Sequence, residues 1–413
     1  MNILVVNRSD RLGGAAIVTS RLMKGLNDLG AQARMLVINK LGDDDHVAVA
    51  GSKWANRYHF LAERLAIFCQ NGFNRNTLFK IDTATHGLNL ARHPWVKQAD
   101  IIVLGWVNQG MLSLKNVEQL ANLGKPLVWV MHDMWNGTGI CHHAGQCHAY
   151  ENTCGKCPLT GKQGRDISTV TQRRKQALYD KANIHFVAVS NWLARKCRES
   201  SAMSKCDISV IANAFPVEDF SPQRLPNADY GINPEKKLLV MGAARLDDSV
   251  KGFDQLIAVT QHIAQHKPLL ADKLHLLLFG AIRDKNLLND IALPYTYLGK
   301  VDNAAEVYAH ADVVLSTSLY ETLPGTLIEG QASGCVPVTF GEGGQADIVD
   351  HMTTGYIAQY LDPESFASGI EWAIDTNISR QMLHEEVARK FAASKIARQH
   401  LDLYTSLLDK KLT

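Results

Sequence analysis

The sequence predicts an α/β protein built of two doubly wound parallel-sheet domains. Three observations carry this. Short apolar, β-branched runs alternate with amphipathic stretches, as a parallel sheet requires when helices cover both its faces. The alternation breaks once, at a proline-bearing stretch near Asn213, and then restarts. The length of 413 residues also exceeds the usual size of one compact domain.

Taken in order, Asn2–Asn7 has the length and branching of a buried strand, and a polar loop holding Gly13-Gly14 follows it. Ala15–Leu29 sets Ile17, Leu22, Leu26 and Leu29 at helical spacing and stops at Gly30. Strands are expected over Ala33–Asn39, Ile101–Leu104, Pro126–Met131 and Phe186–Val189, with helices near Leu114–Leu123 and Thr169–Ala182. Prolines 216, 222 and 226 favour an extended connector, so a boundary is expected between residues 215 and 216. Strands Lys237–Met241, Leu274–Phe279, Tyr297–Leu298, Asp312–Ser316 and Val336–Phe340 then alternate with helices Phe253–Gln265, Ala304–His310 and Gly325–Ser333. The second domain is expected to end near residue 385. The tail, 386–413, reads as an amphipathic helix packing back on the first domain. Two such sheets turn the carboxyl ends of their strands toward a central cleft, where doubly wound folds bind ligands.

Composition narrows the function. Apolar residues make up 46% and charged residues 20%, and 43 Lys+Arg against 41 Asp+Glu give a net charge of +2, with no basic run to track nucleic-acid phosphates. No apolar run reaches the roughly 18 residues of a bilayer span, and the amino terminus lacks a basic start and a small-residue cleavage site. A cytoplasmic protein is expected. Four of the eight cysteines, Cys141, Cys147, Cys154 and Cys157, crowd into one stretch, which in a reducing compartment suggests a metal site or free thiols before a disulfide framework.

The most informative segment runs from Leu315 through Glu321, Leu323, Pro324, Gly325, Thr326, Leu327 and Glu329 to Gly334. A buried strand feeds a loop and then a helix, marked by Pro324-Gly325 at its start and Gly334 at its end. Free N–H groups at that start suit a phosphate, and the two glutamates beside it suit sugar hydroxyls. The combination describes a nucleotide sugar. Upstream, Arg245 and Lys251 follow another strand and precede another helix, placed to neutralise a diphosphate as a planar fork and a point charge. The alternative is a solvated cation and a helix-start residue.

These residues, together with Gly341-Glu-Gly-Gly-Gln-Ala-Asp-Ile-Val349, Thr354-Gly355-Tyr356 and Asp362, resemble retaining glycosyltransferase family 4, across most of residues 236–375. The resemblance implies the GT-B architecture of two Rossmann-like domains. It gives 1–215 the acceptor and 216–385 the nucleotide-sugar donor. It also implies that Arg245 and Lys251 bind the donor diphosphate, that Glu329 binds the ribose and that Glu321 lies by the transferred sugar. The Gly13-Gly14 turn lacks the three-glycine dinucleotide fingerprint. In similar glycosyltransferases such a turn approaches donor phosphate and acceptor.

His132-Asp133-Met134-Trp135 ends a strand, so His132 is expected at the carboxyl edge of its sheet, orienting sugar or serving a structural purpose. The capsule and colanic-acid-like branch of the family carries a similar His-Asp-x-Trp, followed by Gly-x-Cys and Cys-x-x-Cys-Pro. Cys154-Gly-Lys-Cys157 has the spacing a tetrahedral metal favours, and a structural zinc on Cys141, Cys147, Cys154 and Cys157 pinning the loop 138–160 is expected, against the alternative of thiols without metal. Gly105 departs from the histidine often found before the tryptophan in related chains. Lys53–Phe68 mixes aromatics and cations. It reads as a core-facing helix, or as a contact with an anionic membrane at the inner face of the cytoplasmic membrane. Arg173-Arg174-Lys175 reads as a solvated face.

The expectation is a retaining hexosyltransferase of cell-surface polysaccharide biosynthesis. It takes a nucleotide-diphosphate sugar and a glycan or lipid-linked acceptor, and its chemistry requires no cofactor. A sugar-nucleotide epimerase of the same architecture and a noncatalytic glycan-binding subunit are the alternatives.

Overall fold

The computed structural model describes residues 1–160 and 166–412; residue 413 of the expected tail helix lies outside them. Two compact units divide the chain: Met1–Phe215 with the chain from Ala393 onward, and Pro216–Ala392.

The first unit holds strands β1 (Asn2–Val6), β2 (Gln32–Val37), β3 (Val47–Val49), β4 (Ile101–Leu104), β5 (Leu127–Met131), β6 (Ile184–Ala188) and β7 (Ile208–Val210). They form one parallel sheet in the order β3-β2-β1-β4-β5-β6-β7. Its helices are α1 (Gly14–Asp28), α2 (Lys53–Gln70), α3 (Pro94–Gln98), α4 (Leu114–Ala121), α5 (Ile167–Tyr179) and α6 (Asn191–Glu199). Every residue of β4, β5 and β6 is buried, which is why these strands read as unbroken apolar runs rather than as alternation.

The second unit holds β8 (Lys237–Arg245), β9 (Leu274–Ala281), β10 (Tyr295–Gly299), β11 (Val313–Ser316), β12 (Val336–Phe340) and β13 (Tyr356–Ala358), a parallel sheet in the order β10-β9-β8-β11-β12-β13. Helices α7 (Phe253–His266), α8 (Pro268–Ala271), α9 (Ala304–His310), α10 (Gly325–Ala332), α11 (Pro363–Asp375) and α12 (Arg380–Phe391) accompany it. Leu239, Leu276, Val313, Phe340 and Phe366 centre one core. The last helix, α13 (Ala393–Leu412), belongs to the first unit, where Ala397 packs on Gly25 of α1.

The departures from expectation are local. Strands β3, β7 and β13 are three residues each, too short to show a period. β8 runs on to Arg245, so that cation closes a strand instead of sitting in the following loop. The tail breaks at Ala392, and residues 386–392 stay with the second unit. Arg380 fixes α12 there by donating to the carbonyls of Pro222 and Ala311, each at 2.8 Å.

Candidate functional site

In each sheet, connections leave in opposite directions from one pair of neighbouring strands, β1 and β4 in the first unit and β8 and β11 in the second. Such switch points open a crevice at the carboxyl ends of the strands. Gly13, Gly14 and His132 lie at the first of these places, and Arg245, Lys251, Glu321 and the start of α10 at the second.

At the first, a pocket of about 390 Å³ is lined by Arg8, Gly13, Gly14, Trp106, His132 and Asp133, among others. Gly13 is the N-cap of α1 with φ of 90°, a conformation that disfavours other residues, and its carbonyl accepts from the amides of Ala16 and Ile17. At Gly14 a Cβ would meet nothing within 4 Å, so packing within the protein does not explain that glycine. Gly105 has a local reason: a Cβ there would come 2.7 Å from Asn7 Oδ1, which instead accepts from the Trp106 amide.

His132 leaves β5 with Nε2 3.4 Å from Thr19 Oγ1. Thr19 spends its own proton on the Ala15 carbonyl at 2.6 Å, so in this contact His132 Nε2 is the donor. Burial pushes the His132 pKa down to about 4, the Asp133 charge opposing it only in part, so the ring is neutral near pH 7. Asp133 accepts from Trp106 Nε1 at 2.9 Å, His142 Nδ1 at 2.8 Å and the Trp135 amide at 2.8 Å. Burial disfavours charge on both Asp133 and His142, yet their pairing prevails: it lowers the carboxyl and raises the imidazole. A neutral histidine thus stands beside a carboxylate–imidazole pair in which each partner favours the other's charged form.

Beneath the pocket lies a polar network that the sequence reading missed. Glu63, fully buried, accepts from the amides and hydroxyls of Thr83 and Thr85 and from the amide of His86. Asp82 accepts from Arg64 Nη2 at 2.7 Å and from the amide of Gln109, which lines the pocket, at 2.8 Å. Burial, with Glu63 close by, pushes Asp82 up to about 6. No motif spacing marks these residues. The available signal was an adjacent acid and arginine, Glu63-Arg64, set off the apolar stripe of their helix.

The cysteine loop is held differently from expectation. Among the described residues no three His, Cys, Asp or Glu side chains converge as a metal site, and Cys141, Cys147, Cys154 and Cys157 are all described. Burial pushes the Cys141 and Cys154 thiols up to about 12 and 11. Ile67, Ile81, Ile140 and Ile167 form a small core under the loop. Lys175, expected on a solvated face, is fully buried: it donates to the carbonyls of Trp135 and Thr138 and lies 3.4 Å from the Trp135 ring centroid. Burial pushes its pKa down to about 7.

At the switch point of the second unit, the loops after β8 and β11 are stitched together. Thr317 Oγ1 donates to the carbonyls of Gly252 at 2.8 Å and Lys251 at 3.2 Å, and the Leu319 amide donates to Val250 at 2.8 Å. Lys251 Nζ consequently reaches Glu321 and donates to its Oε1. Arg245 Nε lies 3.0 Å from Asp247 Oδ1, and Nη2 lies 3.7 Å from Asp248 Oδ2, so both expected phosphate-binding cations rest on carboxylates. Helix α10 starts at Gly325 behind Pro324, with neither a side-chain cap nor an acid in its first turn, which leaves its amides suited to an anion. Leu323 and Leu327 are buried, so only their backbone can serve a ligand there, whereas Gly325 is exposed and Thr326 half-exposed. Glu329 is half-buried, and Tyr308 Oη donates to its Oε2 at 3.4 Å. The structure therefore brings Lys251, Glu321 and the start of α10 together, with Arg245 one loop away.

Residues 235–376 match the family described as glycosyl transferases group 1. The chain is 27% identical over 235 residues to N-acetyl-alpha-D-glucosaminyl L-malate synthase of Bacillus anthracis, an overlap of 54% of this chain and 59% of that one. The chain thus spans 59% of that relative, and 35% of each of two Pseudomonas glycogen synthases that it also matches. The structure resembles Anabaena Alr3699/HepE in complex with UDP and glucose at TM-score 0.64 and 16% identity, over 98% of this chain and 100% of that one. It also resembles the sucrose-phosphate synthase of Thermosynechococcus elongatus at TM-score 0.65 and 17% identity, over 99% of each chain. The two parallel-sheet units are those of the GT-B glycosyltransferase fold, and the second carries the group 1 sequence pattern.

Proposed function

We propose that the protein is a retaining hexosyltransferase that moves a sugar from a nucleotide diphosphate to a glycan or lipid-linked acceptor in cell-surface polysaccharide biosynthesis. The observation that carries this is the meeting of Lys251, Glu321 and the uncapped start of α10 at one switch point, within the stretch that matches the group 1 family. The α10 amides and Lys251 receive the diphosphate, and Arg245 turns from its aspartates to the same charge. Both cations then act where negative charge grows as the leaving group departs, and this needs no divalent ion. Glu329, steadied by Tyr308, accepts from ribose hydroxyls. Glu321, released from Lys251 as the phosphate takes its place, accepts from the sugar. In the first unit the neutral His132 turns its one Nε2 proton from Thr19 to a sugar hydroxyl, at a pocket suited to an acceptor.

The test incubates the protein with a panel of nucleotide-diphosphate sugars, with and without a lipid extract. Nucleotide release that depends on acceptor, with the product anomer unchanged by NMR, supports the reading. Conversion of the donor without acceptor would identify an epimerase instead.

A further inference from the structure

Helix α2 is inside out. Its buried side chains are Asn56, Glu63, Arg64 and Ile67, three of them polar, while Trp54, Tyr58, Leu61 and Leu65 are 81%, 63%, 51% and 62% exposed. Spacings of three and four residues set those four on one side of the helix, the side a core-facing helix would have turned inward. The expected core-facing helix is thus not what forms. Hydrogen bonds fix the orientation: Glu63 is saturated by the 83–86 segment, and Arg64 is tied to Asp82 and the Leu78 carbonyl. Phe73 and Phe79, just beyond the helix, are also exposed. Lys53, Arg57, Arg75 and Lys80 stand exposed among these residues, and the one acid between 53 and 81 is the buried Glu63.

We infer that this face of α2 rests on the surface of an anionic lipid bilayer. The segment combines an apolar stripe, a Trp and a Tyr at its amino-terminal end, flanking cations and, from 53 to 81, no exposed carboxylate, which is the chemistry of an interfacial helix. Lipid tails receive Leu61 and Leu65, the headgroup layer receives Trp54 and Tyr58, and lipid phosphates receive the cations. A second copy of this chain is a poor occupant, because pairing two such faces sets cation against cation. The contact is peripheral: no helix among the described residues is long and apolar enough to cross a membrane. The inward side of the same helix meets the pocket of the first unit, with the Phe60 ring 5.2 Å from the Arg8 guanidinium. The inference stands on exposure and charge alone and does not rest on the proposed transfer reaction.

The experiment is co-sedimentation of the full chain with vesicles of phosphatidylcholine, alone or with about one-third phosphatidylglycerol. Binding to the anionic vesicles is expected, weakened by salt, with a blue shift of tryptophan fluorescence that Trp54→Phe removes. The double variant Leu61→Glu/Leu65→Glu, at exposed positions that the fold does not use, should bind at least about tenfold more weakly while keeping the wild-type melting temperature. Lys53→Glu/Arg57→Glu should lose the preference for anionic vesicles. No sedimentation, or equal sedimentation of the leucine variant, overturns the inference. So does a wild-type dimer in light scattering that the leucine variant converts to monomer.

Discussion

Lys251 Nζ donates a hydrogen bond to Glu321 Oε1 across 70 residues of chain, joining the loops that follow two adjacent strands. Both side chains keep access to solvent, at 31% and 17%, so the pair contributes little to stability. In the proposed reaction its value lies in holding a cation and a hydroxyl acceptor at one crevice. Lys251→Met should lower kcat/KM by about 100-fold or more with the melting temperature nearly unchanged. Glu321→Gln should do comparable damage, and the double variant little more than either single one, because the two act as a unit. A Lys251→Met enzyme at near wild-type rate would reduce the pair to a surface ion pair.

Two glycines at the two switch points should respond in opposite ways. Gly252 has φ of 63°, and a Cβ there would lie 2.1 Å from the Thr317 carbonyl oxygen. Gly252→Ala should cost about 2–4 kcal/mol, read as a fall in the denaturation midpoint. Gly14→Ala meets open space and should leave the midpoint in place. It should weaken turnover all the same if a ligand approaches that backbone, since the added methyl then meets the ligand. Loss of stability in Gly14→Ala would assign that glycine to folding.

If Glu329 binds the ribose as proposed, Tyr308 is its positioning residue, one that no motif revealed. It is fully buried, and its hydroxyl points at Glu329. Tyr308→Phe should raise KM for the donor about two- to tenfold and leave kcat close to wild type, as expected when one neutral hydrogen bond to a binding group is lost. Glu329→Ala should raise KM further. If Glu329→Ala leaves donor affinity untouched, the ribose assignment fails.

The cysteine loop gives a prediction about metal removal. Because Lys175 and the isoleucine cluster hold the loop, dialysis against a chelator should not change the melting temperature. Lys175→Met should destabilise by about 2–4 kcal/mol, since it strands the Trp135 and Thr138 carbonyls. Burial depresses the folded pKa of Lys175 to about 7, far below its unfolded value, so between those values the unfolded chain binds the extra proton. Wild type should therefore gain stability on Lys175→Met as pH rises from 7 to 10. Stoichiometric zinc whose loss lowers the melting temperature would reinstate the metal.

What could be read from the sequence divides along a physical line. The buried strands and the helix opened by Pro324-Gly325 were legible because burial and helix starts leave composition and punctuation behind, and Lys251 and Glu321 were legible through that frame. The orientation of α2 was not, because it is decided by Glu63 and Arg64 finding partners 14 to 23 residues away, which outweighs the helix's own apolar period. Lys175 was misread for a related reason. Beside Arg173 and Arg174 it looks solvated, and only the carbonyls brought by the 135–138 turn make its burial tolerable.

His132 and His400 give the protein a predictable acid sensitivity. Both border a small buried cavity in the first unit, and His400 Nδ1 lies 3.1 Å from the Tyr404 hydroxyl on α13. Burial, with His132 nearby, pushes His400 down to about 3, and burial pushes His132 down to about 4. These folded values lie below the unfolded value near 6.5, so the unfolded chain binds more protons in between. The stabilisation is fully present above about pH 6.5 and is lost as pH falls toward 4. Asp82, raised to about 6, and His142, also raised, work in the opposite direction, so the informative quantity is a difference between two proteins. Replacing His400→Leu with Tyr404→Phe removes one titrating group and leaves no hydroxyl stranded. From pH 7.5 to pH 5, wild type should lose about 2 kcal/mol more than this double variant in urea unfolding. Parallel losses in the two proteins would mean that the His400 ring is hydrated and titrates normally, and that α13 is not packed over it as the structure has it.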